Sequence, residues 1–539
     1  MPAKLKKILP LLWCLPGFLL WASFPPMGEK IDVLFALAPL MWLSRRAKAA
    51  VSARRWFLSG FVFWFATLSW MPAVVKNGGP WPLVVLGWGV LAAYCSAYFA
   101  AYGWLSAKFW EWARTPGVNG DASYWKRLLA VLVVEPVLWC GLELVRSRFG
   151  GGFAWNQLGV VPVNGGFAAP AALGGVYLLS AVVILVNGTV AGIVERAWKP
   201  AESGFSKLRR FGTLETVFAF ALIWLVFQSA DWAAPARAGE SRDVKVALLQ
   251  RNFPCVFDSD REDEDPIAVY NGLLKHPAYM RPDLVVLPES AMCEFGPVDQ
   301  QGAVNFAAWI GEKTGGAVLG GGTRYHDGKE YNSAALYSAG GDIQFYDKVH
   351  LVPFGEYIPG DKWITSLQKF APVGSCTPGE LKTLDFNGIR LGVAICYEDT
   401  DSAQLRRLAA MGAQMLVFIT NDSWFSDSVE AEQHSWQAVA RAVETGLTVV
   451  RCGNSGVTGV IEPDGKASWL CGADMRPLVD KSGAMCAKVS VPAMVAPTFY
   501  VRFGDAPLAI AFLLLLSSMG AVKAVRMYNL RPGRFKMSD

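Results

Sequence analysis

The chain has 539 residues, of which 53% are hydrophobic and 18% charged, and its mean hydropathy is +0.28. Such a composition excludes an ordinary soluble protein of this length. The net charge of +5 is small, and the basic residues collect beside apolar runs, which argues against a nucleic-acid surface.

A transmembrane helix needs about 20 apolar residues. Runs of this kind are predicted at Ile8–Phe24, Val33–Leu43, Phe57–Val75, Pro82–Leu105, Leu128–Val145, Phe167–Val194, Thr213–Ser229 and Phe503–Val522. Lys4, Lys6 and Lys7 precede the first run, as in a signal peptide, but no small-residue cleavage site follows and a retained helix is expected. Basic residues crowd alternate connections. After Lys4–Lys7 come Arg45, Arg46, Lys48, Arg54 and Arg55, then Lys108, Arg114, Lys126 and Arg127. Arg196, Lys199, Lys207, Arg209 and Arg210 follow, and then the tail from Lys523 to Lys536. The intervening short connections hold Lys30, Lys76, Arg146 and Arg148. Positive charge stays on the cytoplasmic side. The pattern therefore predicts eight spans with both termini cytoplasmic: a seven-span bundle over 1–232, and an eighth span and tail over 499–539. The second run is short, but without it the 45–55 cluster would fall on the wrong side.

Residues 233–498 read as an extracytoplasmic globular domain. A linker is expected at Ala233–Arg242. Strands are predicted at Val244–Leu249, Leu284–Leu287, Ala317–Gly320, Ser333–Tyr337, Ile343–Tyr346, Leu391–Ile395, Met415–Ile419, Thr448–Arg451 and Val457–Ile461. Helices are predicted at Asp265–Leu274, Ala303–Thr314, Ser402–Ala410 and Glu430–Thr445. The alternation implies a layered α/β fold.

Three of the apolar runs end on chemistry-bearing residues. Leu284-Val285-Val286-Leu287-Pro288 leads to Glu289, Phe345-Tyr346-Asp347 to Lys348, and Gly392-Val393-Ala394-Ile395 to Cys396. A thiol attacks as thiolate, and an ordinary cysteine titrates near 8.5, so it needs a base or a positive neighbour. Glu289 suits the first role and Lys348 the second, and the Tyr397 N–H is a further donor for an oxyanion. Taken singly, each residue has a plainer reading as packing, cap or solvated charge; together they form a nucleophilic site. With four histidines and no Cys-x-x-Cys among ten cysteines, no metal site is expected.

These motifs in this order, with Val352-Pro353-Phe354-Gly355-Glu356-Tyr357, Thr420-Asn421-Asp422-Ser423-Trp424-Phe425, Gln433-His434 and Asn454-Ser455-Gly456-Val457-Thr458, resemble the apolipoprotein N-acyltransferase family of the nitrilase superfamily. The likeness covers nearly the whole chain. It implies a multi-span α-helical membrane bundle plus an α/β nitrilase-like αββα sandwich domain, in the bacterial inner membrane, with the catalytic domain periplasmic. It implies an acyl chain taken from a phospholipid onto Cys396, then passed to the α-amino group of a diacylglyceryl-cysteine on an apolipoprotein. No cofactor and no nucleic acid are implied, and a monomer is expected. By motif position, Glu289, Lys348 and Cys396 are catalytic and Glu356, Tyr397 and Glu398 support them. The competing reading is a membrane-tethered nitrilase-type amidase with water as acceptor.

The resemblance departs at Leu287 and near Phe257, where family members carry tryptophan. Phe257, Phe354 and Trp424 are expected to contact substrate. Arg146 and Arg148, at the outer end of the fifth predicted span, read either as side chains snorkelling to the interface or as holders of a lipid phosphate. Lid loops are expected near Glu294–Gln301 and Trp363–Thr377.

Overall fold

The computed structural model describes residues 13–115, 122–197, 205–233, 237–253, 265–358 and 376–529. Its N-terminal part is helical and its central part is a two-sheet sandwich.

Among the described residues, three helices are long and apolar enough to cross a membrane by length and composition: Trp81–Ala113, Trp125–Arg146 and Ala171–Ala197. Shorter apolar helices lie at Asp32–Ser44, Leu214–Ala230 and Ala506–Ala521. A helix at Ala49–Thr67 begins eight residues before the predicted third run and ends eight before it does. Large aromatic side chains fill the interior, with Trp56, Trp64, Trp110 and Tyr102 fully buried. Leu83, Leu86 and Val90 face outward from the Trp81–Ala113 helix, as a lipid-facing surface requires.

Among the described residues the sandwich has twelve strands: β1 (Arg237–Gln250), β2 (Leu284–Val286), β3 (Ala317–His326), β4 (Lys329–Tyr337), β5 (Ile343–Asp347), β6 (Thr383–Phe386), β7 (Ile389–Ile395), β8 (Met415–Thr420), β9 (Thr448–Gly453), β10 (Gly459–Ile461), β11 (Ala467–Trp469) and β12 (Gly483–Val495). One sheet has the order β12-β1-β2-β3-β4-β5 and the other β11-β10-β9-β8-β7-β6. The centre of each is parallel, β1-β2-β3 in one and β7-β8-β9 in the other. Strand side chains alternate between faces. Val244, Val246 and Leu248 accordingly pack between the sheets with Val393, Ile395, Val417 and Ile419. Ala247 and Leu249 point the other way, onto the Pro266–Met280 and Gln301–Thr314 helices. The Ser402–Ala410 and Glu430–Thr445 helices cover the second sheet, which completes the αββα layering.

Glu430–Thr445 is also where the two halves meet, since its apolar face shares a core with Val160, Val176 and Leu179. Val176 N–H donates to Glu444 at 2.9 Å. Gly175 adopts φ +64 inside the Ala171–Ala197 helix, and a Cβ there would come within 2.8 Å of the Tyr500 ring. Glycine lets that helix kink against the domain.

Two expectations need correction. The 237–242 stretch is no linker, because Arg237 and Ala238 already pair with Val495 and Met494. Its partner β12 escaped the sequence reading, since Lys488, Ser490 and Pro492 interrupt its apolar pattern. An edge strand tolerates proline at a bulge, and Pro492 sits opposite Ser241 where the register shifts. The 294–301 stretch is pinned as well. Glu294 pairs with Arg251, and buried Val298 donates its N–H to Thr323 and accepts from Tyr337 Oη at 2.7 Å.

Candidate active site

Glu289, Lys348 and Cys396 stand just past β2, β5 and β7, at one end of the sandwich. Glu289 and Lys348 are buried. Lys348 Nζ lies 3.0 Å from Glu356 Oε1 and 3.7 Å from Glu289 Oε1. Asn332 Nδ2 bridges the same two carboxylates, donating to Glu289 at 2.8 Å and Glu356 at 2.7 Å. Glu289 Oε2 accepts the Asn421 N–H at 2.9 Å, and Glu356 Oε2 the Val352 N–H at 2.7 Å.

The charges set one another. Burial, more than the neighbouring Glu356 charge, lifts the Glu289 carboxyl above its ordinary range, and Lys348 only partly offsets this. Burial disfavours the Lys348 ammonium, yet Glu356 and Glu289 outweigh it and hold the lysine charged. The Cys396 thiol is raised well above its ordinary value by burial and then by Glu289, against the pull of Lys348. At rest the site therefore holds a neutral thiol beside a buried carboxylate of raised basicity. Chemically, such a pair can move a proton off sulfur when an electrophile arrives.

Cys396 has φ +54, a conformation that strains a residue with a side chain by about 1–3 kcal/mol. Glu398, two residues on, holds the turn in place. It is fully buried and accepts from Ile395 N–H at 2.8 Å, Val349 N–H at 2.7 Å, His350 N–H at 3.0 Å and Tyr346 Oη at 3.0 Å. One carboxylate thus fastens the end of β7 to the segment carrying Lys348.

Tyr397 packs against the helical half. Its Oη donates to Gly152 O at 3.3 Å, and its ring lies parallel to Phe153. Phe354 has φ +64 and is 73% exposed beside the site. The Trp424 backbone carbonyl accepts from Asn77 Nδ2 at 2.8 Å, so this turn touches the helical half. Phe257 lies outside the described residues, as does 363–375 of the second expected lid.

The two arginines are already engaged by protein groups. Arg146 is buried, donates to the Phe153 and Trp155 carbonyls at 2.7 and 2.9 Å, and stacks over Trp64. Arg148 pairs with Asp401 at 2.6 Å and Asp505 at 2.8 Å. In this structure they are clamps: Arg146 shapes the loop after its helix, and Arg148 ties that loop to the sandwich.

Sequence reasoning missed Asn332, Tyr346 and a buried ionic cluster behind Cys396. In that cluster Arg451 pairs with Asp399 and, at 3.5 Å, with Asp422. His434 lies between the same two carboxylates, 2.9 Å from Asp399 and 3.0 Å from Asp422. The one available signal was the recurrence of polar residues in Thr420-Asn421-Asp422 and Gln433-His434. Among the described residues, Asp422, Glu430 and His434 are close enough to share a metal ion. However, both ring nitrogens already face carboxylates and Arg451 supplies positive charge, so the cluster neutralises itself.

Comparison with known proteins fits this architecture. Residues 246–478 match the family described as Carbon-nitrogen hydrolase, and residues 16–189 match the Apolipoprotein N-acyltransferase N-terminal domain. The class is therefore an acyl-transferring membrane enzyme built on a nitrilase-type α/β sandwich. An apolipoprotein N-acyltransferase of Geobacter metallireducens is 30% identical over 511 residues, covering 92% of this chain and 91% of that one. One from Photobacterium profundum is 26% identical, covering 84% of each. An amidase from Nesterenkonia sp. is 20% identical with a TM-score of 0.35, over 50% of this chain and 97% of that one. The chain belongs to the apolipoprotein N-acyltransferase family, and its activity is lipoprotein N-acylation.

Proposed function

We propose that this enzyme works by two half-reactions on Cys396. In the first, Glu289 takes the thiol proton and the sulfur attacks the carbonyl carbon of a phospholipid acyl ester. Lys348 and the Tyr397 N–H stabilise the oxyanion, in the manner of donors each worth about 3–4 kcal/mol in other acyl-transfer sites. The ester C–O bond breaks, Glu289 returns the proton to the leaving glycerol oxygen, and a lysophospholipid departs. In the second, the α-amino group of an N-terminal diacylglyceryl-cysteine attacks the thioester and gives its proton to Glu289. The C–S bond breaks, an amide forms, and the thiol is restored.

The observation that carries this reading is the placement of Cys396, Lys348 and Glu289 past strand ends at the same end of the sandwich, with Lys348 charged and Glu289 raised in basicity. Glu356 and Glu398 hold Lys348 and the Cys396 turn. Phe354, Trp424 and Phe257 would meet the acyl chains. The proposed arrangement is a seven-span bundle over 1–232, a periplasmic catalytic domain over 233–498, and an eighth span over 499–539. It would be a monomer in the inner membrane with both termini cytoplasmic. Membrane helices supply what a lipid donor and a lipid-anchored acceptor require: a surface where both arrive from the same leaflet.

The test is the intact mass of the purified protein after incubation with a phospholipid, beside Cys396→Ala. A hydroxylamine-labile acyl adduct on the wild type, absent from the variant and discharged by a diacylated lipopeptide, is the expected result. An adduct that decays to free fatty acid at the same rate without the lipopeptide would favour a hydrolase. A labelled thioester on Cys396→Ala would overturn the assignment.

A further inference from the structure

We propose that His434 is a positioning residue for the first half-reaction: hydrogen-bonded through Nδ1 to Asp422 and in ion-pair contact through Nε2 with Asp399, it sets the Cys396 turn against the turn that holds Glu289. The inference rests on the roles given to Cys396 and Glu289 above.

The two carboxylates belong to the two catalytic turns. Asp399 is in the same 3₁₀ turn as Cys396, spanning Cys396–Thr400. Asp422 directly follows Asn421, whose N–H donates to Glu289 Oε2 at 2.9 Å. His434 Nε2 lies 2.9 Å from Asp399 Oδ1, and Nδ1 lies 3.0 Å from Asp422 Oδ1. A neutral imidazole has a single N–H, whereas imidazolium presents a positive N–H to each of the two carboxylates. Burial opposes that charge, as does Arg451, but Asp399 and Asp422 prevail and push the ring up to about 10. Glu430, 3.6 Å from Nδ1, is itself raised well above its ordinary value by burial and by Asp422, which keeps it neutral. Two aspartates, one arginine and one imidazolium then balance.

The fit is specific. Thr420 Oγ1 donates to Asp422 at 2.7 Å. A Cβ on Gly456 would fall 1.8 Å from Asp422 Oδ2, so glycine is what lets this carboxylate reach the ring. On its far side the imidazole packs 5.5 Å from Trp155, a residue of the helical half. Trp155 Nε1 donates to Gln433 at 2.9 Å, and Gln433 Nε2 to the carbonyls of Pro25 and Thr67 at 3.1 and 3.2 Å. The ring is therefore registered against the bundle that would deliver the lipid, as well as against both turns. A buried ion cluster is seldom the most stable filling for a core, and its retention fits a demand for one particular geometry.

The experiment compares full-length wild type, His434→Gln, Asp399→Asn and Cys396→Ala in detergent. Two quantities are measured: kcat and KM for acyl transfer from a phospholipid to a diacylated lipopeptide, and the pH dependence of Cys396 alkylation by iodoacetamide, located by peptide mass. His434→Gln is expected to lower the first-step rate about 10–100-fold, the scale of a small misplacement of reacting groups. KM should stay within about twofold, and the alkylation midpoint should move to higher pH, because a buried thiol without a proton acceptor in place must ionise on its own before it reacts. A residue that served folding alone would reduce the fraction of alkylated molecules and leave that midpoint where it was. A folded His434→Gln protein with unchanged rate and midpoint overturns the proposal. Should His434→Gln fail to fold, Asp399→Asn, which keeps an acceptor for Nε2 but loses the charge, must show the same upward movement or the proposal falls. Transfer that persists in Cys396→Ala instead overturns the underlying assignment, and the same set of proteins reveals it.

Discussion

Lys348 Nζ stands 3.7 Å from Glu289 but 3.0 Å from Glu356. The ammonium gives its closer contact to Glu356 and influences Glu289 mainly through the field. A carboxylate held this way keeps its charge without being tied up by the lysine, as the proposed general base requires. Asn332, reaching both carboxylates, fixes the spacing.

Glu289→Gln tests that division of labour. Glutamine keeps an acceptor for the Asn421 N–H but cannot take the thiol proton. Formation of the acyl adduct should slow about 10²–10⁴-fold, the usual worth of a positioned base, while the apparent unfolding temperature changes little. Adduct mass against time measures this directly, and a rate within threefold of wild type would remove Glu289 from the mechanism.

The same residue sets the acid side of the pH profile. Glu289 must be ionised to act, and burial raises its carboxyl above the ordinary value of 4.5. The first-step rate should therefore climb with pH through a midpoint above 4.5, and fall away below it as the base becomes protonated. In Glu289→Gln this limb should disappear. A limb that persists unchanged in the variant would belong to another group.

Lys348→Met should be damaging in two ways. It leaves Glu289 and Glu356 buried without a counter-charge, a loss of about 3–5 kcal/mol where one partner of a buried pair is removed. It also takes away the charge that favours thiolate. Expected are a lower unfolding temperature and no acyl adduct even at temperatures where the variant is folded. Full adduct formation by a folded Lys348→Met protein would assign the oxyanion to other donors.

How much of this was legible depended on range. Glu289, Lys348 and Cys396 could be read because each ends an apolar run, and a buried strand announces its own end. Asn332 could not, because its position opposite the catalytic groups comes from the pairing of β4 with β3 and β5, which no local pattern records. Asp399 and Arg451 are 52 residues apart in sequence, and His434 joins them from a third element. Arg146 and Arg148 looked free because their partners lie elsewhere: carbonyls seven and nine residues on for the first, Asp401 and Asp505 for the second. The fold class came through because periodicity is local. The ionic cluster did not, because it forms only when β7, β8, β9 and the Glu430–Thr445 helix have been stacked.

Stability should carry the mark of that cluster. His434 is pushed up to about 10 in the folded protein, against an ordinary 6.5. Between these values the folded state holds a proton that the unfolded chain has released. The contribution is therefore fully present below pH 6.5 and is lost as pH rises towards 10, with a limiting slope of about 1.4 kcal/mol per pH unit. Glu444, raised to about 7 chiefly by burial, acts with the same sign between its ordinary 4.5 and 7, so its influence is over before most of the His434 window opens. Lysines and other surface groups titrate similarly in wild type and variant, and a difference cancels them. Apparent unfolding temperatures of wild type and His434→Gln, taken at one scan rate because membrane proteins often unfold irreversibly, should differ most near pH 6 and converge as pH approaches 10. A gap that stays constant over that range would mean the ring is neutral in the folded protein, and that it bridges only one of its two aspartates.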